Sequence, residues 1–199
     1  METYRIECCR SREGCRRAVV KPNDLIGQIQ DLLIKADFEK RRNEQFPNGF
    51  KQHNIFKITL AGCANSCSQP QIKDFALIAK VLPQFNKQLC NFCGLCVKTC
   101  KENCLKITDQ RLHFMQEGCL GCGDCIRACP SNAIFAKEPV WRLLLGGKLG
   151  RHPQLAMEIK DVNQEEALKS LNQVIELLLN AENPHERFGE IIKKGLNNF

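Results

Sequence analysis

The chain has 199 residues, 43% hydrophobic and 26% charged, with a net charge of +7; this is the balance of a globular protein and excludes a disordered or fibrous chain. The anomaly is 14 cysteines, and because METYRIECCRSREGCRR lacks the apolar core and cleavage site of a secretory leader, thiols in a reducing, cytoplasmic setting point to metal ligation and not to a disulfide framework. No apolar run reaches the roughly 20 residues of a membrane span, and no recognition motif or aromatic-interleaved basic stripe supports nucleic-acid binding.

From the start of the chain, Arg10, Arg12, Arg16, Arg17 and Lys21 are interleaved with Cys8, Cys9 and Cys15. Such a cluster suits a small anion or a polycarboxylate cofactor, and it reads equally well as a solvated basic face. Pro22-Asn23-Asp24 predicts the start of a helix running to about Arg42, capped by Asn23 or Asp24, with Leu25, Ile29, Leu32, Leu33 and Ala36 near one face. Pro47-Asn48-Gly49 predicts a turn. Alternation from Asn54 to Leu60 predicts a strand that delivers Cys63 and Cys67 to a loop at its end. The apolar stretch Phe75 to Leu82 reads as a second strand, with a helix as the alternative, and Pro83 begins a linker.

An internal repeat follows. Cys90, Cys93, Cys96 and Cys100 have the spacing C-x2-C-x2-C-x3-C, and Cys119, Cys122, Cys125 and Cys129 repeat it before Pro130, 29 residues on. Gly94 maps to Gly123, Val97 to Ile126, Lys98 to Arg127 and Leu105 to Ile134. This is the ligand run of bacterial two-cluster ferredoxins, in which the last cysteine of each run serves the other cluster. Cys90, Cys93, Cys96 and Cys129 are therefore expected to hold one [4Fe–4S] cluster, and Cys119, Cys122, Cys125 and Cys100 a second. Zinc would fit pairs of C-x2-C but does not require the third and fourth cysteine twice over. Lys101 stands where the second run has Pro130, and Cys104 reads as a small buried residue.

Beyond the repeat, Val140 to Leu145 is apolar and leads into a glycine-rich stretch. Ala167, Leu168, Leu171, Val174, Ile175 and Leu178 recur at helical spacing between Glu165 and Asn180, a core-facing stripe. Pro184 to Leu196 predicts a last short helix with Phe188, Ile191 and Ile192 inward. His53, His113, His152 and His185 are scattered and read as surface or hydrogen-bonding residues.

Cys9-x5-Cys15 followed by Gly62-Cys63-Ala64-Asn65-Ser66-Cys67 resembles the signature of the sirohaem-dependent sulfite and nitrite reductases. Phe56-Lys57-Ile58-Thr59-Leu60 resembles a K-x-K strand of the dissimilatory members, with Thr59 in place of the second lysine. Gly146-Gly147-Lys148-Leu149-Gly150-Arg151-His152-Pro153 resembles a G-G-K-x-G-x-x-P stretch near the end of the family core. The resemblance implies a third [4Fe–4S] cluster on Cys9, Cys15, Cys63 and Cys67, and sirohaem bridged to it through Cys67, with Asn65, Lys148 and Arg151 beside the cofactor. It implies that Lys57, Arg10, Arg12, Arg16 or Arg17 bind a sulfite or nitrite anion. The fold expected is α+β: a reductase-like core from 1–83 and 138–199, interrupted by a ferredoxin-like insert over 84–137.

Members of that family carry a region before the C-x5-C pair that supplies part of the sirohaem pocket, whereas Cys9 here is the ninth residue. The expectation is a pocket closed by a second subunit or a second copy, or left open, with electrons supplied by a redox donor protein. The competing expectations are a non-catalytic electron-transfer subunit of a partner reductase, and a sensor or cofactor-handling protein.

Overall fold

The computed structural model describes residues 2–47, 49–136 and 138–195. Asn48 of the expected turn, Lys137 at the end of the expected insert and Leu196 at the end of the expected last helix lie outside them.

In chain order the first elements are β1 (Tyr4–Cys8), α1 (Asn23–Lys35), α2 (Phe38–Gln45), β2 (Phe56–Ala61), β3 (Phe75–Lys80), β4 (Pro83–Phe85) and α3 (Leu95–Thr99). They are followed by β5 (Leu105–Thr108), β6 (Arg111–Phe114), α4 (Asp124–Ala128), β7 (Ile134–Ala136), β8 (Val140–Leu145), β9 (Met157–Val162), α5 (Gln164–Leu179) and α6 (Phe188–Gly195). Five strands form the main sheet in the order β1-β2-β3-β8-β9. The first three are parallel, β8 runs antiparallel to β3, and β9 runs antiparallel to β8.

Alternation gives each strand two faces. Ile6, Ile58, Leu77 and Leu143 share one face and join a core with Ile29, Leu171 and other residues from α1, α2, α5 and α6. Arg5, Lys57 and Thr59 have the opposite parity, and Arg5 lies directly across from Lys57. On that second face Ala61, Ala76, Ile78 and Leu144 form a small apolar cluster that no helical residue joins. The helices therefore cover one face of the sheet.

Several expectations shift in the fold. The single helix expected to Arg42 is two, because Asp37 adopts a left-handed conformation (φ 48°) between α1 and α2. The break turns Phe38 fully inward, where its ring meets Tyr4 and Phe56 at centroid distances of 6.0 and 5.8 Å. Neither Asn23 nor Asp24 caps α1, and the Asn23 amide donates to the Arg12 carbonyl at 3.5 Å. Residues 75–80 are a strand, buried at every position, which explains an apolar run without alternation. Pro83 opens β4 and not a linker, and α6 starts at Phe188, four residues after Pro184. β1 and β9 were not expected.

Lys80 at the end of β3 is the sheet partner of Val140 at the start of β8. The stretch between them leaves and returns at one place, so it stands as a lobe without disturbing the sheet. β4 and β7 pair at its base, with Pro83 opposite Ala136. β5 and β6 make a hairpin, and α3 packs against α4. Leu105, Ile134 and Cys96 form the lobe's own small core.

Candidate metal centre

Cys9 follows β1, and Cys63 follows β2, its parallel neighbour. The two loops are locked together: the Gly62 amide donates to Cys9 Sγ at 3.3 Å, and the Val19 amide donates to the Gly62 carbonyl at 2.8 Å. A Cβ on Gly62 would meet Ser11 Cβ at 2.2 Å and the Val20 carbonyl at 2.7 Å, so only glycine permits this approach. Cys8 packs against the main core and Cys9 accepts from the Gly62 amide, and both thiols reach Ser11 Oγ, Cys9 at 3.1 Å and Cys8 at 3.6 Å. Burial pushes the Cys63 thiol up, and the neighbouring thiolates of Cys9, Cys67 and Cys15 add to the effect. Burial alone would push Cys9 up as well, but Ser11 and the amides of Gly62 and Ser11 outweigh it and hold that thiol below its ordinary value.

The lobe gathers two further groups. Cys90, Cys93, Cys96 and Cys129 line one cavity with Ile107, Leu112 and Ile134. Cys100, Cys119, Cys122 and Cys125 line another, whose wall also includes Cys104. In each group one member comes from the other run, at the end of the helix α3 or α4. Burial raises the Cys96 thiol, and Cys129 and Cys90 contribute. Cys125 is pushed up to about 12 by burial and by Cys119, Cys122 and Cys100.

Among the described residues no three His, Cys, Asp or Glu side chains converge as a single-ion site requires. The thiols of the repeat line the walls of two shared spaces, the arrangement a polynuclear cluster needs when each thiolate binds a different iron. Thiolates confined in this way raise one another's pKa, and cationic iron relieves that repulsion. The donor chemistry therefore fits iron–sulfur clusters.

The second cavity also touches the first site. Ala64 and Asn65, from the loop between Cys63 and Cys67, lie in its wall with Arg17. Arg17 reaches Asp124 of α4 at 3.8 Å. The Val81 amide donates to the Gly121 carbonyl at 2.9 Å, and Gly121 approaches Lys80 so closely that a Cβ would sit 2.8 Å from the Lys80 Cβ.

A family model described as the nitrite and sulphite reductase 4Fe-4S domain matches residues 4–199. The chain belongs to this family. It is 32% identical over 188 residues to a coenzyme F420-dependent sulfite reductase of Methanocaldococcus jannaschii, a match covering 94% of this chain but 28% of that protein. The crystal structure of dissimilatory sulfite reductase I superposes with a TM-score of 0.60 at 18% identity, over 97% of this chain and 50% of that one. The structure of Mycobacterium tuberculosis NirA superposes with a TM-score of 0.50 at 12% identity, over 95% of this chain and 25% of that one. This mixed α/β fold is thus that of the sulfite and nitrite reductases, and the chain spans half or less of the length of each of these proteins.

For a reductase-family domain, the cations matter next. Arg10, Arg12 and Arg16 are exposed on and after the short turn Arg10–Glu13, and their side chains have no hydrogen-bond or ion-pair partner among the described residues. Lys57 is half-buried on the uncovered sheet face, likewise without a side-chain hydrogen bond or ion pair among them. Lys148 is buried and its ammonium pairs with Glu190 of α6. Arg151 is exposed, in a turn closed by the Lys148–Gln154 bridge. That glycine-rich stretch lies along the segment after Cys67, where the Gly147 amide donates to the Lys73 carbonyl at 2.8 Å and the Ala156 amide to the Gln71 carbonyl at 2.7 Å. Sequence reasoning missed Arg5, Lys73 and Lys80 as neighbours of the site. Lys73 pairs with Glu7, and Lys80 with Asp161, each at 2.5 Å. The alternation of Arg5 and Glu7 with Tyr4, Ile6 and Cys8 was the available signal.

Proposed function

We propose that this chain is the iron–sulfur and sirohaem-binding part of a sulfite reductase, with nitrite the competing substrate. One observation carries the reading. The eight cysteines of the repeat line two spaces, each with one cysteine from the other run, the inner space shares a wall with the loop between Cys63 and Cys67, and Cys9, Cys15 and Cys67 lie near enough to Cys63 to raise its thiol.

In this reading Cys90, Cys93, Cys96 and Cys129 hold an outer ferredoxin-type [4Fe–4S] cluster. Cys100, Cys119, Cys122 and Cys125 would hold an inner one, and Cys9, Cys15, Cys63 and Cys67 would hold a third, with Cys67 also the residue that would contact sirohaem. When bound, these groups supply one-electron transfer along the lobe and multi-electron reduction of an anion at a haem iron. Cys67 is exposed, so its sulfur is open to a second partner. Lys57, side by side with Arg5 on the uncovered face, binds carboxylates or the substrate anion, while Arg5, paired with Glu2 at 2.6 Å, and Arg10, Arg12 and Arg16 add positive field. Asn65, Lys148 and Arg151 flank the same region, with Lys148 oriented by Glu190. A second subunit or a second copy closes that face, a redox donor protein supplies electrons, and the reducing cytoplasm keeps the thiols available. Among the described residues no helix is long and apolar enough to cross a membrane.

The electron-transfer-subunit reading draws on the same uncovered face, since this chain does not itself wall in the cations there. One experiment separates them. The chain, reconstituted anaerobically and supplied with sirohaem, should show a red-region absorption band that Cys67→Ser weakens, and it should oxidise reduced methyl viologen when sulfite or nitrite is added. A band without turnover would favour cofactor handling, and no band would favour the electron-transfer subunit.

A further inference from the structure

The internal repeat presents the same loop twice in opposite settings. By the 29-residue offset, Phe92 corresponds to Gly121, Cys93 to Cys122, Leu95 to Asp124 and Lys98 to Arg127. The inner loop is covered. Gly121 is hydrogen-bonded to Val81 and packs on Lys80, Asp124 pairs with Arg17, and Ala64 and Asn65 share its cavity wall. The outer loop meets nothing comparable among the described residues. Cys93 is exposed, and Leu89, Phe92 and Leu95 are 49%, 37% and 45% exposed, an apolar patch centred on a thiol.

Phe92 adds a second observation. Its φ is +56°, a left-handed conformation that is strained for a bulky residue, where its repeat partner is a glycine at +65°. Among the described residues Phe92 joins no apolar core; it borders the space of Cys90, Cys93, Cys96 and Cys129 on one side and an open groove on the other. Strain kept at an exposed ring points to use by something outside the chain. The rim is cationic: Lys87 and Arg111 share one groove with Cys90, Phe92 and His113, and no acidic residue lines it. Lys98 is exposed one helical turn beyond Leu95, and Asp109 lies just outside the groove.

We infer that the loop around Cys93, with Phe92 and Leu95 at its centre and Lys87 and Arg111 at its rim, is the docking surface for an acidic one-electron donor protein of the ferredoxin type. An apolar centre within a basic rim selects a partner with an apolar centre and an acidic rim. The transfer is simple to balance: the donor is oxidised by one electron, the centre held by Cys90, Cys93, Cys96 and Cys129 is reduced by one, and no atom or proton moves. The inference rests on the reading of those four cysteines as cluster ligands.

The test uses the anaerobically reconstituted chain, with iron determined before each mixing. A dithionite-reduced acidic [2Fe–2S] ferredoxin is the probe, a small photoreduced flavin is the control, and bleaching of the chain's visible absorbance is followed by stopped flow. Lys87→Glu with Arg111→Glu should slow reduction by the ferredoxin about tenfold at low salt, with the difference shrinking near about 0.5 M salt, and leave reduction by the flavin unchanged. Phe92→Gly, which relieves the strain and removes the ring, should retain iron and thermal stability yet slow the ferredoxin reaction several-fold. Wild-type rates in both variants, or a faster rate on charge reversal, would overturn the docking surface while leaving the cluster assignment in place. Iron missing from the Cys90 group would overturn both, and the determination made before mixing identifies that case.

Discussion

Cys9 and Gly62 carry the closest constraint in the molecule, one thiol accepting a hydrogen bond from an amide whose residue has no room for a methyl group. Gly62→Ala should cost about 3 kcal/mol through forced displacement of Ser11 and Val20. It should also strip iron from the Cys9 group while the lobe keeps its own, which chemical denaturation and iron analysis would reveal together. Asp74 gives a pH signature. Burial raises its carboxyl from 3.8 to about 6, against the pull of the Lys57 amide, Arg187, Lys57 and Lys73. An acid whose folded pKa is raised favours the fold fully below its unfolded pKa and loses that contribution as pH climbs to the folded value. Stability should therefore fall between about pH 4 and pH 6 by something on the order of 2–3 kcal/mol from this group, and Asp74→Asn should flatten that slope in denaturation midpoints. The two groupings of the repeat's cysteines around separate cavities follow from the doubled spacing in the sequence. The choice of Cys9 over Cys8 rested on the C-x5-C spacing alone, and the packing of Tyr4, Ile6 and Cys8 against the core became visible only with β1.

At the scale of elements, α5 was the plainest in the sequence, and its start is fixed by a reciprocal capping box between Asn163 and Glu166. Asn163→Ala should lower stability by about 1 kcal/mol, read from the denaturation midpoint with cluster content unchanged. The break between α1 and α2 was not legible. The apolar spacing runs on through Ala36 to Phe38, and nothing local in Asp37 announces that the core requires Phe38 turned inward. β9 escaped for the opposite reason: Met157 and Ile159 alternate with Glu158 and Lys160, but the strand is mostly exposed, so its apolar signal is thin. β3 was ambiguous until its neighbours were known, because a strand buried on both sides shows no period.

At the scale of the whole molecule, the repeat with its ferredoxin spacing and the Gly-Cys context carried the family, while the placement of the lobe was beyond sequence. It depends on Lys80 meeting Val140 and on Gly121 seating against the end of the central strand β3. Because the main core contains no lobe residue, replacing the stretch between Val81 and Pro139 with a two-residue Asn-Gly turn should leave a folded sheet with its four helices, seen as retained circular dichroism and a cooperative melt. The same deletion should remove about two thirds of the iron, eight atoms of about twelve, if three cubane clusters are present.

The most direct measurement is iron and acid-labile sulfide per chain after anaerobic reconstitution, for the parent and for three variants that each replace one four-cysteine group by serine. The account predicts about twelve irons in the parent and a loss of about four in each variant, with Cys104→Ser and Cys8→Ser unchanged. A parent that holds no more than about eight irons, or a Cys9/Cys15/Cys63/Cys67 variant that loses none, would contradict it.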